Sequence, residues 1–187
     1  MKSNPVIFLD RDGVINKSAK PHEYITSWQN FVILPGVYEA LKLFHFNGYK
    51  IFIATNQRCI SRRIASQSQI DELHARMTEN FALNGCNVDG IFICPHGDDD
   101  NCNCRKPKPG LLMQAQNWLE SSCGLTVDKQ RSWMIGDSKT DELAGISYGV
   151  NTVLIRDEPP AKFDGMKHLT AENILAAARK ILDLRNT

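Results

Sequence analysis

The stretch that most restricts this chain runs from Val6 to Val14, where Val6-Ile7-Phe8-Leu9 leads straight into Asp10-Arg11-Asp12-Gly13. A continuous apolar run closed by turn residues fits a strand buried on both faces, as in a parallel sheet. Such a strand delivers the residues after it to the carboxyl edge of the sheet, where open α/β folds place their ligands. Two carboxylates two residues apart repel, and a fold keeps them together where a cation or a proton is shared. An acidic β-turn is the plainer reading of Asp and Gly in this order. The rest of the chain decides between the two.

Further apolar strands are expected at residues 49–54, 88–94, 132–135 and 151–155. Helical spacing of apolar residues predicts helices over 37–48, 66–83, 109–121, from just after Asp137 to Tyr148, and over about 171–184 beyond a Pro159-Pro160 break. Residues 16–30 read as an irregular loop over the active edge. Strand and helix alternate with no repeat and no linker, which implies an α/β fold: a three-layer, doubly wound, Rossmann-like parallel sheet. The 187 residues suit a single domain, 1–187, with no stretch large enough for a cap.

A formal net charge of +1 without a basic block gives no footprint for a nucleic-acid partner. No apolar run is long enough to span a bilayer, and the one after Lys2 is broken by Asp10, so no membrane partner and no export signal are expected. The expected setting is cytoplasmic. With no heptad repeat and no cap to bury a shared surface, the expected state is a monomer.

In a reducing compartment, clustered cysteines point to metal rather than disulfides. Of six cysteines, Cys94, Cys102 and Cys104 fall in one short loop, 94–104, together with His96. Three thiols and an imidazole with no open position match a closed structural Zn²⁺ site. A Cys102–Cys104 disulfide would be strained. Cys104 directly precedes Arg105-Lys106-Pro107, so this metal would brace whatever the lysine does.

Four strand ends carry polar groups in order: Asp10 and Asp12, then Thr55, then Lys106 ahead of a helix, then Gly136-Asp137 with Asp141 four residues on. Carboxylates without Cys or His suit a hard cation, Mg²⁺. A hydroxyl and a lysine aimed at the same place suit phosphate oxygens.

This order of motifs resembles the haloacid dehalogenase superfamily of phosphatases, over about residues 5–157. The resemblance implies that Asp10 is the nucleophile that becomes an aspartyl-phosphate and Asp12 the general acid and base. It implies Mg²⁺ on the Asp10 carboxylate, the Asp12 backbone carbonyl and Asp137. Thr55, Asn56, Arg105 and Lys106 would bind a small-molecule phosphate ester. Asp141 would support Lys106 or the metal's waters, or simply start the next helix.

Within the superfamily, Asp10-Arg11-Asp12-Gly13, Thr55-Asn56-Gln57 and the Cys-Pro-His…Cys-x-Cys-Arg-Lys-Pro segment resemble one narrow group. It holds the phosphatases of D-glycero-D-manno-heptose 1,7-bisphosphate and of histidinol phosphate. Residues 31–37 and 144–154 look more like the heptose enzymes, which favours the 7-phosphate of the heptose bisphosphate as substrate. The short zinc loop looks more like the histidinol-phosphate enzymes, the alternative. One departure is Arg58-Cys59-Ile60-Ser61-Arg62-Arg63, where the heptose enzymes usually carry a Ser-Gly-Ile-Ala-Arg-Gly type of segment. It adds positive charge suited to a second phosphate, although a solvated surface is the simpler account of at least one of Arg62 and Arg63. His22, His45, His74 and His168 are assigned to surface or packing. Cys59 lacks an adjacent His and is not read as a nucleophile, and Cys86 and Cys123 are expected to be semi-buried.

Overall fold

The computed structural model describes residues 2–156 and 167–185; the Pro159-Pro160 break lies outside them. β2 (Val6–Leu9) is the strand expected from the opening run, and all four of its residues are fully buried. Its period-2 alternation is visible in the packing. Ile7 and Leu9 enter one core with Leu41, Phe44, Met77 and Ile181, whereas Val6 and Phe8 enter the other with Leu112, Leu119 and Met134. α1 (Val37–Phe46), α2 (Gln67–Leu83) and α5 (Ile174–Asp183) therefore cover one face, and α3 (Gly110–Cys123) covers the other, where α4 (Lys139–Tyr148) contributes Tyr148. Phe8 touches Tyr148 edge-on at 5.6 Å between ring centroids. Burying one such aromatic contributes about 1.5–3 kcal/mol.

β2 pairs in parallel with β3 (Lys50–Asn56) on one side and β6 (Trp133–Gly136) on the other. β4 (Gly90–Cys94), β7 (Asn151–Ile155) and β8 (His168–Ala171) complete a six-stranded parallel sheet of order β4-β3-β2-β6-β7-β8. The chain builds outward from β2 in one direction, then returns to start again at β6. This switch point opens a crevice between the carboxyl ends of β2 and β6. Helix ends are set locally: Ser66 and Gln69 form a capping box at the start of α2, as Ser138 and Asp141 do for α4. Among the described residues no helix is long and apolar enough to cross a membrane.

The final helix begins at Ile174, capped by Asn173, rather than near residue 171. Ala171 instead ends β8, an edge strand that helical spacing alone does not reveal, because Thr170 and His168 break its apolar run. Two three-residue strands, β1 (Lys2–Asn4) and β5 (Leu125–Val127), pair separately and are too short to stand out in the sequence. Cys123 is exposed, not semi-buried, and Cys86 is buried.

Candidate active site

Strand ends place Asp10, Thr55 and Asp137, while Lys106 comes from the loop between β4 and α3 and Asp141 from the first turn of α4. The Asp10 amide donates to the Ile135 carbonyl at 2.9 Å, which extends the β2–β6 pairing and sets Asp10 beside Gly136-Asp137. Gly13 then turns the chain with φ +86°, a region that favours glycine. A Cβ there would stand 1.9 Å from Asp137 Oδ2, so the glycine is what lets the two loops close on one another. Gly136 does the same for α4, because its absent Cβ would meet the Asp141 Cβ at 2.1 Å.

Lys106 is the buried cation of the site, 3% exposed. Its Nζ sits 2.8 Å from Asp10 Oδ1 and 2.6 Å from Asp141 Oδ1, and donates to the Ala54 carbonyl at 2.7 Å. Burial alone would lower its affinity for a proton, but Asp10 and Asp141 outweigh that and hold the ammonium well above its ordinary value. Burial pushes the Asp10 carboxyl up to about 7, with Lys106 pulling it down and Asp141 adding to the rise. Asp137 is likewise raised, to about 6, by burial and then by Asp141. Carboxylate oxygens of Asp10, Asp137 and Asp141 lie within 4.8 Å of one another. Asp141 both supports Lys106 and starts α4: its Oδ2 accepts from the Ser138 amide at 3.1 Å and from Ser138 Oγ at 2.5 Å.

The Asp12 carboxylate is turned away from that cluster. It accepts from Arg11 (3.0 Å), Asn16 Nδ2 (2.9 Å) and Gln57 Nε2 (3.2 Å). Arg11 is fully buried, stacked 5.8 Å from the Phe31 ring centroid, and also donates to the Ile25 carbonyl. Its Nη1 lies 3.1 Å from Nε2 of His74, a residue that burial and then Arg11 hold neutral, with a pKa lowered to about 4. His74 therefore accepts, and a chain of contacts from α2 fixes the rotamer of Asp12. Motif spacing alone does not give Arg11, Gln57 or His74 a place in the site. The one available signal is His74 standing among Ile70, Leu73 and Met77 on the buried face of α2.

Thr55 is buried at the end of β3, its oxygen accepting from Gln57 Nε2 at 2.9 Å, so its own proton is left to donate. Asn56 ends β3. Both ends of its amide are engaged with the Lys106 backbone, Nδ2 donating to the carbonyl and Oδ1 accepting from the amide, each at 3.1 Å. It clasps the lysine loop as well as lining a cavity of about 350 Å³ next to Lys106. Arg105 lines the same cavity, whereas Arg62 and Arg63 are both exposed.

Cys94, His96, Cys102 and Cys104 converge, their ligand atoms all within 4.8 Å. Sγ of Cys94 is 3.7 Å from Sγ of Cys102 and 3.6 Å from Nδ1 of His96, which is 3.2 Å from Sγ of Cys104. A tetrahedron with zinc–sulfur bonds of about 2.3 Å has edges of about 3.8 Å, so the spacing fits such an ion. Burial pushes the Cys94 thiol up to about 12, which leaves a bound cation to make it a thiolate. Cys94 ends β4 in register with Asn56, and Cys104 adjoins Arg105-Lys106. The cluster thus lies directly ahead of Lys106, next to the end of β3.

The buried Asp10–Lys106–Asp141 contacts, with Asp137 beside them at a switch-point crevice, accompany the fold of the haloacid dehalogenase phosphatases. Residues 5–172 match the family model described as polynucleotide kinase 3 phosphatase, and the chain belongs to that family of phosphoric monoester hydrolases. It is 36% identical to the D-glycero-beta-D-manno-heptose-1,7-bisphosphate 7-phosphatase of Vibrio cholerae, covering 87% of each chain. The enzyme of the same description from Helicobacter pylori is also 36% identical, over 87% of this chain and 89% of its own. Among solved structures, the D,D-heptose 1,7-bisphosphate phosphatase of B. bronchiseptica, complexed with magnesium and phosphate, superposes with a TM-score of 0.81. It is 28% identical and the match covers 96% of this chain and 99% of that one.

Proposed function

We propose that this protein hydrolyses the 7-phosphate of D-glycero-D-manno-heptose 1,7-bisphosphate in the cytoplasm through an aspartyl-phosphate on Asp10. The observation that carries the reading is the intact Asp10–Lys106–Asp141 arrangement in a chain related to the heptose enzymes over most of its length. Asp10 attacks phosphorus as the sugar alkoxide leaves, and Asp12, as general acid, gives the alkoxide its proton. The resulting Asp12 carboxylate takes a proton from water, the hydroxide attacks phosphorus, and Asp10 departs as a carboxylate. Thr55 donates to a phosphate oxygen while Lys106 balances the charge of the nucleophile. Mg²⁺ fits the all-oxygen donor set of the Asp10 and Asp137 carboxylates and the Asp12 carbonyl; when bound it neutralises charge where carboxylate and phosphate meet. Zn²⁺ fits Cys94, His96, Cys102 and Cys104, which would hold it beside the lysine loop.

Mg²⁺-dependent phosphate release from the heptose bisphosphate and from histidinol phosphate, measured side by side, checks the substrate. A large preference for the heptose is expected, and a preference for histidinol phosphate would overturn the assignment.

The raised carboxyls predict a pH signature. With folded values near 7 for Asp10 and 6 for Asp137, both above those of an unfolded chain, the stability they supply is complete at acid pH and lost as pH rises through those values. A cation restores it. Thermal melts should therefore show a larger Mg²⁺-induced rise in Tm at pH 8 than at pH 5; an equal or smaller rise at pH 8 would contradict the assignment of those carboxylates.

A further inference from the structure

Among the described residues, one acidic side chain lines the cavity beside Lys106, and it is Asp98. Its Oδ1 accepts from Nε and Nη2 of Arg105, each at 2.8 Å, while its Oδ2 is paired with Nη1 of Arg58. Arg58 belongs to the turn after β3 and Arg105 to the loop between β4 and α3. A single carboxylate thus joins the turn after β3 to the loop that carries Lys106. Neither arginine is buried: the side chains of Arg58 and Arg105 are 33% and 21% exposed, and that of Asp98 is 54% exposed.

Ion pairs this open to solvent contribute about 0–1 kcal/mol, too little to make Asp98 a brace that the loops depend on. The backbone has its own support in the Asn56–Lys106 clasp, and the Gly97 amide is satisfied by Asp100 rather than by Asp98. Two guanidiniums facing one carboxylate nevertheless retain a net positive charge, with Lys108 nearby on the cavity wall. A phosphate dianion offers three oxygens and about two charges where Asp98 offers two oxygens and one, so it competes well for the same fork geometry.

We infer that Asp98 is a displaceable stopper: between Arg58 and Arg105 its carboxylate holds the place of a substrate's second phosphate and yields to it on binding. The inference rests on the proposed function, in which the first phosphoryl group meets Asp10, because Lys106 borders both places. In the free protein the stopper keeps Arg105 on the cavity wall and Arg58 beside it, both paired to the one carboxylate. A substrate with one phosphate leaves it in place, and one with two exchanges it.

Calorimetric titration in an Asp10→Asn background, where bound ester is not consumed, tests this with heptose 1,7-bisphosphate and heptose 7-phosphate. The bisphosphate should bind roughly ten- to hundredfold more tightly than the monophosphate, the range expected for hydrogen bonds to charged groups. Adding Arg58→Gln should collapse that ratio toward one. Adding Asp98→Asn should tighten the bisphosphate several-fold and leave the monophosphate unchanged. An unchanged ratio with Arg58→Gln, or weaker bisphosphate binding with Asp98→Asn, would overturn the inference, the second outcome making Asp98 a brace. If neither heptose ester binds, the substrate assignment fails instead. Fructose 1,6-bisphosphate and fructose 6-phosphate then supply the ratio, and the same changes in it support or overturn the stopper.

Discussion

Asp10→Asn should lower kcat by about four orders of magnitude or more while leaving the fold intact, because it removes the nucleophile and keeps its shape. The structure explains why the fold should survive. Lys106 keeps its 2.6 Å contact with Asp141 and its bond to the Ala54 carbonyl, so the buried ammonium is not left without an anion. The neutral amide also removes one of the mutually repelling groups that burial has raised. An unchanged or slightly higher Tm alongside lost turnover is the expected pair of results. Turnover within about tenfold of wild type would sink covalent catalysis at Asp10.

The second large effect is at the cysteine cluster. Structural zinc in small domains contributes on the order of 10–16 kcal/mol of apparent binding free energy, which is available only when the ligands are gathered by folding. Cys104→Ser removes the ligand next to Arg105-Lys106. It should take bound zinc from about one per chain to well below that, lower Tm sharply, and cut activity with it. Metal analysis by mass spectrometry, thermal melts and turnover on the same preparation check this. A Cys104→Ser protein that is zinc-free, stable and fully active would show that the lysine loop stands without the ion.

The centre of the fold is legible in the sequence because β2 carries its information locally: four apolar residues, all buried, then two aspartates and a glycine. The cysteine loop is legible for the same reason, its four ligand residues lying within eleven positions. The features that escape are those carried by distance in the chain. Arg11 looks like a solvated residue between two acids until His74, 63 positions away, is brought beside it. The resemblance makes Asn56 a substrate contact, and nothing local shows that its amide also reaches Lys106, 50 positions on. Arg58 looks no different from Arg62 and Arg63 in the sequence, and its partial burial and the approach of Asp98 distinguish it from them. β8 escapes for another reason: an edge strand is half covered, so its sequence needs no continuous apolar run.

The central claim is that phosphate passes through Asp10. The most direct measurement is acid quenching of Asp12→Asn protein during hydrolysis of p-nitrophenyl phosphate, with mass spectrometry of the peptide containing Asp10. That leaving group departs without needing a proton, so the first step proceeds, whereas the loss of the base slows hydrolysis of the intermediate. The account predicts one phosphoryl group on Asp10, absent when Asp10 is also replaced by Asn. Turnover with no phosphoryl group on Asp10, or with one on a different residue, would contradict it.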